Sequence, residues 1–174
     1  MMNDREFEQA IQTALQTWYP KDHKLHLNPH HPLGKLLGEW GELLDDYIKS
    51  IYKPGYQFDP EDELGDIWYY LRILCYQHSV VPTLELSNQL DVYKNCNADY
   101  LLACVISNVS FVFRMFCREE QKRFVKWEST LNISYSILFE ICTRRELTLH
   151  QLTSSNWEKL KPGSERGEQW MKAR

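Results

Sequence analysis

Two short stretches, GEWGELLDDY (residues 38–47) and PEDELGDIWYY (residues 60–70), constrain this chain more than any other feature. Each sets two acids three residues apart within an apolar helical pattern: Glu39 with Glu42, and Glu63 with Asp66. On a helix that spacing stacks both side chains on one face. The 20 residues between Glu42 and Glu63 suffice to finish one helix, turn at Lys53 to Gly55 and start the return. Two antiparallel helices of this kind bring four carboxylates together.

Four like charges buried between two helices are prohibitive without cations, because neighbouring carboxylates raise one another's pKa and lose solvation. An oxygen-only donor set selects hard ions, and Mg²⁺, with Mn²⁺ as a substitute, suits it better than an all-protein calcium cage. Iron is disfavoured, since no His follows a Glu at three residues, as the Glu-x-x-His pairs of di-iron bundles require. The alternative is a solvated acidic face, with Lys35 four residues before Glu39 as a pairing partner. One acid pair alone would favour that alternative; the second pair, the apolar flanks and the glycines favour the cluster. Gly34, Gly38 and Gly41 share a helical stripe and Gly65 sits beside Asp66. An interior helical Gly costs about 1 kcal/mol relative to Ala, so close approach of a backbone or a ligand is expected at these positions.

The helical period runs through nearly the whole chain. It predicts helices over Asp4–Trp18, Leu33–Tyr52, Pro60–Ser79, Tyr100–Arg118, Trp127–Cys142 and Leu149–Leu160, with a His- and Pro-rich loop over residues 19–32 and a less regular stretch over Pro82–Asn97. Pro60 is expected at a first helical position, followed by Glu61, Asp62 and Glu63 at the positive end of the dipole. No strand pattern competes, so the fold class is all-α, and 174 residues make one domain. No GxGxxG or GxxxxGK[ST] loop occurs, which excludes Rossmann and P-loop chemistry. A net charge of −4 argues against polynucleotide as a partner. No basic leader and no apolar run of membrane-spanning length is seen, so a cytoplasmic protein with no membrane partner is expected. Five Cys without a CxxC read as free thiols rather than as disulfides or a zinc site.

At its acids the sequence resembles the MazG-like superfamily of all-α nucleoside triphosphate pyrophosphohydrolases, which includes dimeric dUTPases, dCTP pyrophosphatases and phosphoribosyl-ATP pyrophosphohydrolases. The likeness rests on ExxE, a spacer and ExxD, matched by Glu39, Glu42, Glu63 and Asp66, and spans residues 30–80 through HHPLGKLLGEWGELLDDYIKSIYKPG and DELGDIWYYLRIL. The resemblance implies hydrolysis of an NTP or dNTP to nucleoside monophosphate and pyrophosphate. It makes the four acids both catalytic residues and Mg²⁺ ligands, with Glu42 as candidate base. It implies substrate contacts at Tyr70 and, through the closing segment SNWEKLKPGSERG, at Asn156, Lys159 and Arg166. Trp40 is a stacking candidate beside the acids, although a Trp at helical spacing also suits a core. A homodimer or higher homo-oligomer is implied as well. The chain departs from short family members by about sixty extra residues, a helical insert over about 86–147, before the closing helix over about 149–162. A catalytically silent interaction module or a nucleotide sensor of the same fold is the alternative function.

Three other features carry weaker signals. Arg114, Arg118, Lys122 and Lys126 recur every four residues and read as a solvated basic stripe with local ion pairs. His23, His26, His30 and His31 cluster with Asp22, but their spacing does not make a closed zinc site. The remaining Trp residues read as core.

Overall fold

The structure, a computed structural model, describes residues 9, 10, 12, 30–84, 108–117, 127–161 and 163–165. These residues form helices α1 (His30–Tyr52), α2 (Glu61–Gln77), α3 (Trp127–Arg144) and α4 (Leu149–Leu160), with a further helical stretch over 108–117. No strand occurs among the described residues, so the all-α class holds. Gln9, Ala10 and Gln12 are helical; the rest of the helix expected over Asp4–Trp18 lies outside the described residues, as does the stretch 100–107.

α2 is the hub, packing against α1, α3 and α4. Its sequence explains the role. Leu64, Ile67, Trp68, Leu71, Ile73, Leu74 and Cys75 go most of the way round the helix and are all buried, so it must be covered on more than one side. α1 is amphipathic in the ordinary way and turns Leu33, Leu36, Trp40 and Leu43 into the same core. The turn between them is dictated locally. Pro54 sets one central residue, Gly55 takes φ +81°, and the Tyr56 N–H bonds the Lys53 carbonyl at 3.1 Å, as in a type II turn.

Two helix starts differ from expectation. α1 begins at His30, three residues early, because a first-turn proline such as Pro32 has no intrahelical N–H bond to lose. Pro60 is the N-cap of α2 rather than its first helical residue, and its carbonyl accepts the Leu64 N–H at 2.9 Å. α4 starts where expected, fixed by a capping box between Thr148 and Gln151.

α2 also buries a charge. Arg72, 1% exposed, donates from Nη1 to the Ala10 carbonyl at 2.6 Å and from Nε to the Trp68 carbonyl at 3.3 Å, with its guanidinium 5.5 Å from the Trp68 ring. Burial lowers its pKa to about 10, which leaves it protonated at neutral pH. Cys75, Cys117 and Cys142 are free thiols, as expected; Cys96 and Cys104 lie outside the described residues. Among the described residues no helix is long and apolar enough to cross a membrane.

Candidate functional site

Because α1 and α2 pack antiparallel across the Lys53–Tyr56 turn, their acid stripes meet. Glu39 is half-buried, and its pKa rises from 4.5 to about 7, first through burial and then through the charges of Asp66 and Glu42; Lys35 and Lys159 oppose the shift. Glu63 is shifted upward as well, by burial and then by Asp46, Asp62 and Asp66, against a backbone hydrogen bond that lowers it. Its Oε2 is buried and has no hydrogen-bond partner. Glu42 lies on the same stripe but is exposed.

α4 closes the site from the other side of α2. Asn156, 1% exposed, donates from Nδ2 to Asp66 Oδ1 at 2.5 Å. Lys159 Nζ lies 3.4 Å from the same oxygen and also pairs with Asp62. Gly65 lies at this contact, but a Cβ there would meet the Leu152 carbonyl oxygen at 3.8 Å and Asn156 Cβ at 3.9 Å, ordinary contact distances, so the approach does not require glycine. Gly34 is tight, since a Cβ there would sit 3.1 Å from Phe116 Cε2. No neighbour lies within 4 Å of a Cβ placed on Gly38 or Gly41, so helix packing does not account for those two.

Asp46 belongs to this cluster and was not singled out in the sequence. It stands four residues after Glu42 and seven after Glu39, a spacing that keeps all three on one stripe. It is half-buried, accepts Lys49 Nζ at 3.1 Å, and its hydrogen bond with the Tyr56 hydroxyl shifts that phenol upward. The helical spacing was the available signal.

Trp40 has no exposed surface and forms part of the core, its Nε1 without a partner. Tyr70 is 5% exposed and packs edge-on against Tyr69, ring centroids 5.2 Å apart. Arg166, Arg118, Lys122, Lys126, His23 and His26 lie outside the described residues. Arg114 is exposed, 5.9 Å from the Phe111 ring, and His30 and His31 form the first turn of α1.

The donor set fits a hard divalent cation in kind: carboxylate oxygens only, one of them buried and orphaned, and two acids shifted upward by burial and then by their acidic neighbours. As they stand, no three His, Cys, Asp or Glu side chains among the described residues converge closely enough to hold one ion. Asp66 is turned instead toward Asn156 and Lys159.

The shift at Glu39 has a thermodynamic consequence. Its carboxyl binds a proton more tightly when folded than at its ordinary value of 4.5, so its favourable contribution is complete below that value and is lost as pH rises through about 7. Glu39→Gln is therefore expected to melt close to the parent at pH 5 and above it at pH 8. After allowing for its partial exposure, the gain at pH 8 is about 1 kcal/mol. Thermal melts of both proteins without Mg²⁺ check this; equal melting temperatures at pH 8 would refute the upward shift.

Compared with known proteins, the chain matches no family model, no curated protein and no solved structure.

Proposed function

We propose that this chain is a Mg²⁺-dependent nucleoside triphosphate pyrophosphohydrolase, built as a MazG-like helical bundle with an inserted helical pair and working as a homo-oligomer on a small-molecule nucleotide. One observation carries the reading: acids from α1 and α2 share one electrostatic field, and α4 brings an amide and an ammonium to Asp66. The exposed apolar residues Ile48, Ile51 and Tyr52 at the end of α1 support self-association.

Glu39, Glu63 and Asp66 would hold the ion, with Glu42 beside them. Bound Mg²⁺ supplies positive charge to the phosphate oxygens and lowers the pKa of a water. The rest of the chemistry belongs to side chains. Asn156 fixes the rotamer of Asp66 through its hydrogen bond. Lys159 neutralises Asp62 and Asp66 in the free protein and, on a 21% exposed side chain, can turn to the phosphate chain when an ion replaces it. Glu42, exposed and on the acid stripe, would take a proton from the attacking water.

The deciding experiment incubates the protein with a panel of NTPs and dNTPs, with and without Mg²⁺, and identifies the products. Monophosphate and pyrophosphate formed only with metal support the proposal. Nucleotide binding without product would favour the sensor, and neither would favour the interaction module.

Gly38 offers an independent check. It shares a stripe with Glu42, and a Cβ there meets open space. Gly38→Ala is expected to stabilise the helix by about 1 kcal/mol while lowering turnover, because the added methyl stands where a ligand approaches. Melting temperature and initial rate on the same sample test both halves; a stabilised variant with full activity would exclude ligand approach there.

A further inference from the structure

α4 presents three stripes. Leu149, Leu152 and Asn156 are buried against α2. At about 100° per residue, Lys159 falls on one side of that stripe, whereas His150, Thr153, Ser154 and Trp157 fall on the other. Lys159 marks the side of the acids. The opposite side opens into a cavity of about 810 Å³, walled by the end of α3, the loop leading into α4, α4 itself and Ala10. None of Glu39, Glu42, Glu63 and Asp66 lines it.

Both walls are braced from α2 by residues one turn apart. Trp68 Nε1 donates to Thr153 Oγ1 at 2.9 Å, and Arg72 Nη1 donates to the Ala10 carbonyl at 2.6 Å. Such bracing holds the space open before a ligand arrives, which lowers the cost of binding. The volume lies within the range that holds a small organic molecule, about 300–1,000 Å³. Phe139 and Trp157 supply aromatic surface, and His150 and Ser154 supply polar tips for a flat ring with hydrogen-bonding edges. Among the described lining residues Glu146 carries the only formal charge, and no Lys or Arg is present. Among the described lining residues a phosphorylated ligand would meet one negative charge and no positive one.

We propose that this cavity is a second ligand site, separate from the acid cluster, which takes an uncharged, flat heteroaromatic molecule of nucleoside size. Trp157 stacks on the ring, Ser154 and His150 meet its polar edge, and Glu146 turns phosphate away.

The test titrates the full chain, without Mg²⁺, with adenosine, guanosine, cytidine, uridine and thymidine, and with their 5′-monophosphates, by calorimetry and tryptophan fluorescence. At least one nucleoside is expected to bind saturably, and its monophosphate at least about tenfold more weakly. Trp157→Ala is expected to weaken nucleoside binding at least about tenfold, the scale of one lost stacking contact. Should that variant melt early, Ser154→Phe blocks the cavity from an exposed position and must have the same effect. Glu63→Gln is expected to bind the nucleoside unchanged, which separates this site from the one proposed for hydrolysis. The proposal falls if no nucleoside saturates, if the monophosphate binds as well, if the cavity variants bind like the parent, or if Glu63→Gln abolishes binding.

Discussion

Glu63→Gln is expected, on the proposed hydrolysis, to lose metal-dependent turnover by about 10³-fold or more, since a bound ion's charge is worth several kcal/mol in a transition state. The variant should nevertheless fold at least as well as the parent. Glu63 stands in the field of Asp46, Asp62 and Asp66, is shifted upward by burial, and keeps one oxygen buried without a partner. A neutral amide of the same shape removes that repulsion, so the melting temperature should hold or rise. The opposite movement of activity and stability is the signature of a site kept strained for function. Initial rates with Mg²⁺ and a thermal melt of the same preparation measure it. Full activity in Glu63→Gln would remove these acids from the mechanism, whereas loss of both activity and fold would make Glu63 structural.

The second large effect is expected at the hub. Trp68 has no exposed surface, lies 5.8 Å from the Tyr135 ring of α3, and donates to Thr153 of α4, whose hydroxyl donates in turn to the Leu149 carbonyl at 2.7 Å. Trp68→Ala is expected to cost about 3–5 kcal/mol through lost burial and the cavity left behind. That is a large share of the roughly 5–15 kcal/mol that holds a domain folded. Trp68→Phe keeps most of the ring and loses one hydrogen bond, so its cost should be about 1 kcal/mol beyond the smaller burial. Urea midpoints of the two variants, with unchanged slopes, check the order. A Trp68→Phe midpoint equal to the parent's would mean that α4 is not tied to α2 through the indole N–H.

Much of this was legible in the chain because it depends on local rules. The 3.6-residue period located α1, α2, α3 and α4 to within a few residues, and Lys53 to Gly55 was identifiable as the turn because Pro and Gly restrict backbone angles wherever they occur. The acid pairs were legible for the same reason, since spacing on a helix fixes which side chains share a face. What escaped depends on contacts between distant residues. Nothing around Arg72 marks it for burial; its partner is a carbonyl 62 residues away. Helical spacing puts Asp46 with Glu39 and Glu42, but its weight comes from Tyr56 and from the field at Glu63, which require the turn to be closed. Trp40 and Tyr70 show the limit from the other side. A ring beside an acid in sequence can stack on a ligand or fill the core, and only tertiary packing decides; here both rings are buried.

The bond from Asn156 to Asp66 spans 90 residues of chain, and that from Lys159 spans 93. Translated into time, at about 5–20 residues per second, the acids leave the ribosome about 5–18 s before the groups that answer them. Over that interval Lys35 is the one cation among the charges acting on Glu39 that has already been made. The acids of the α1–α2 hairpin are therefore made before Asn156 and Lys159, the groups that meet Asp66, exist.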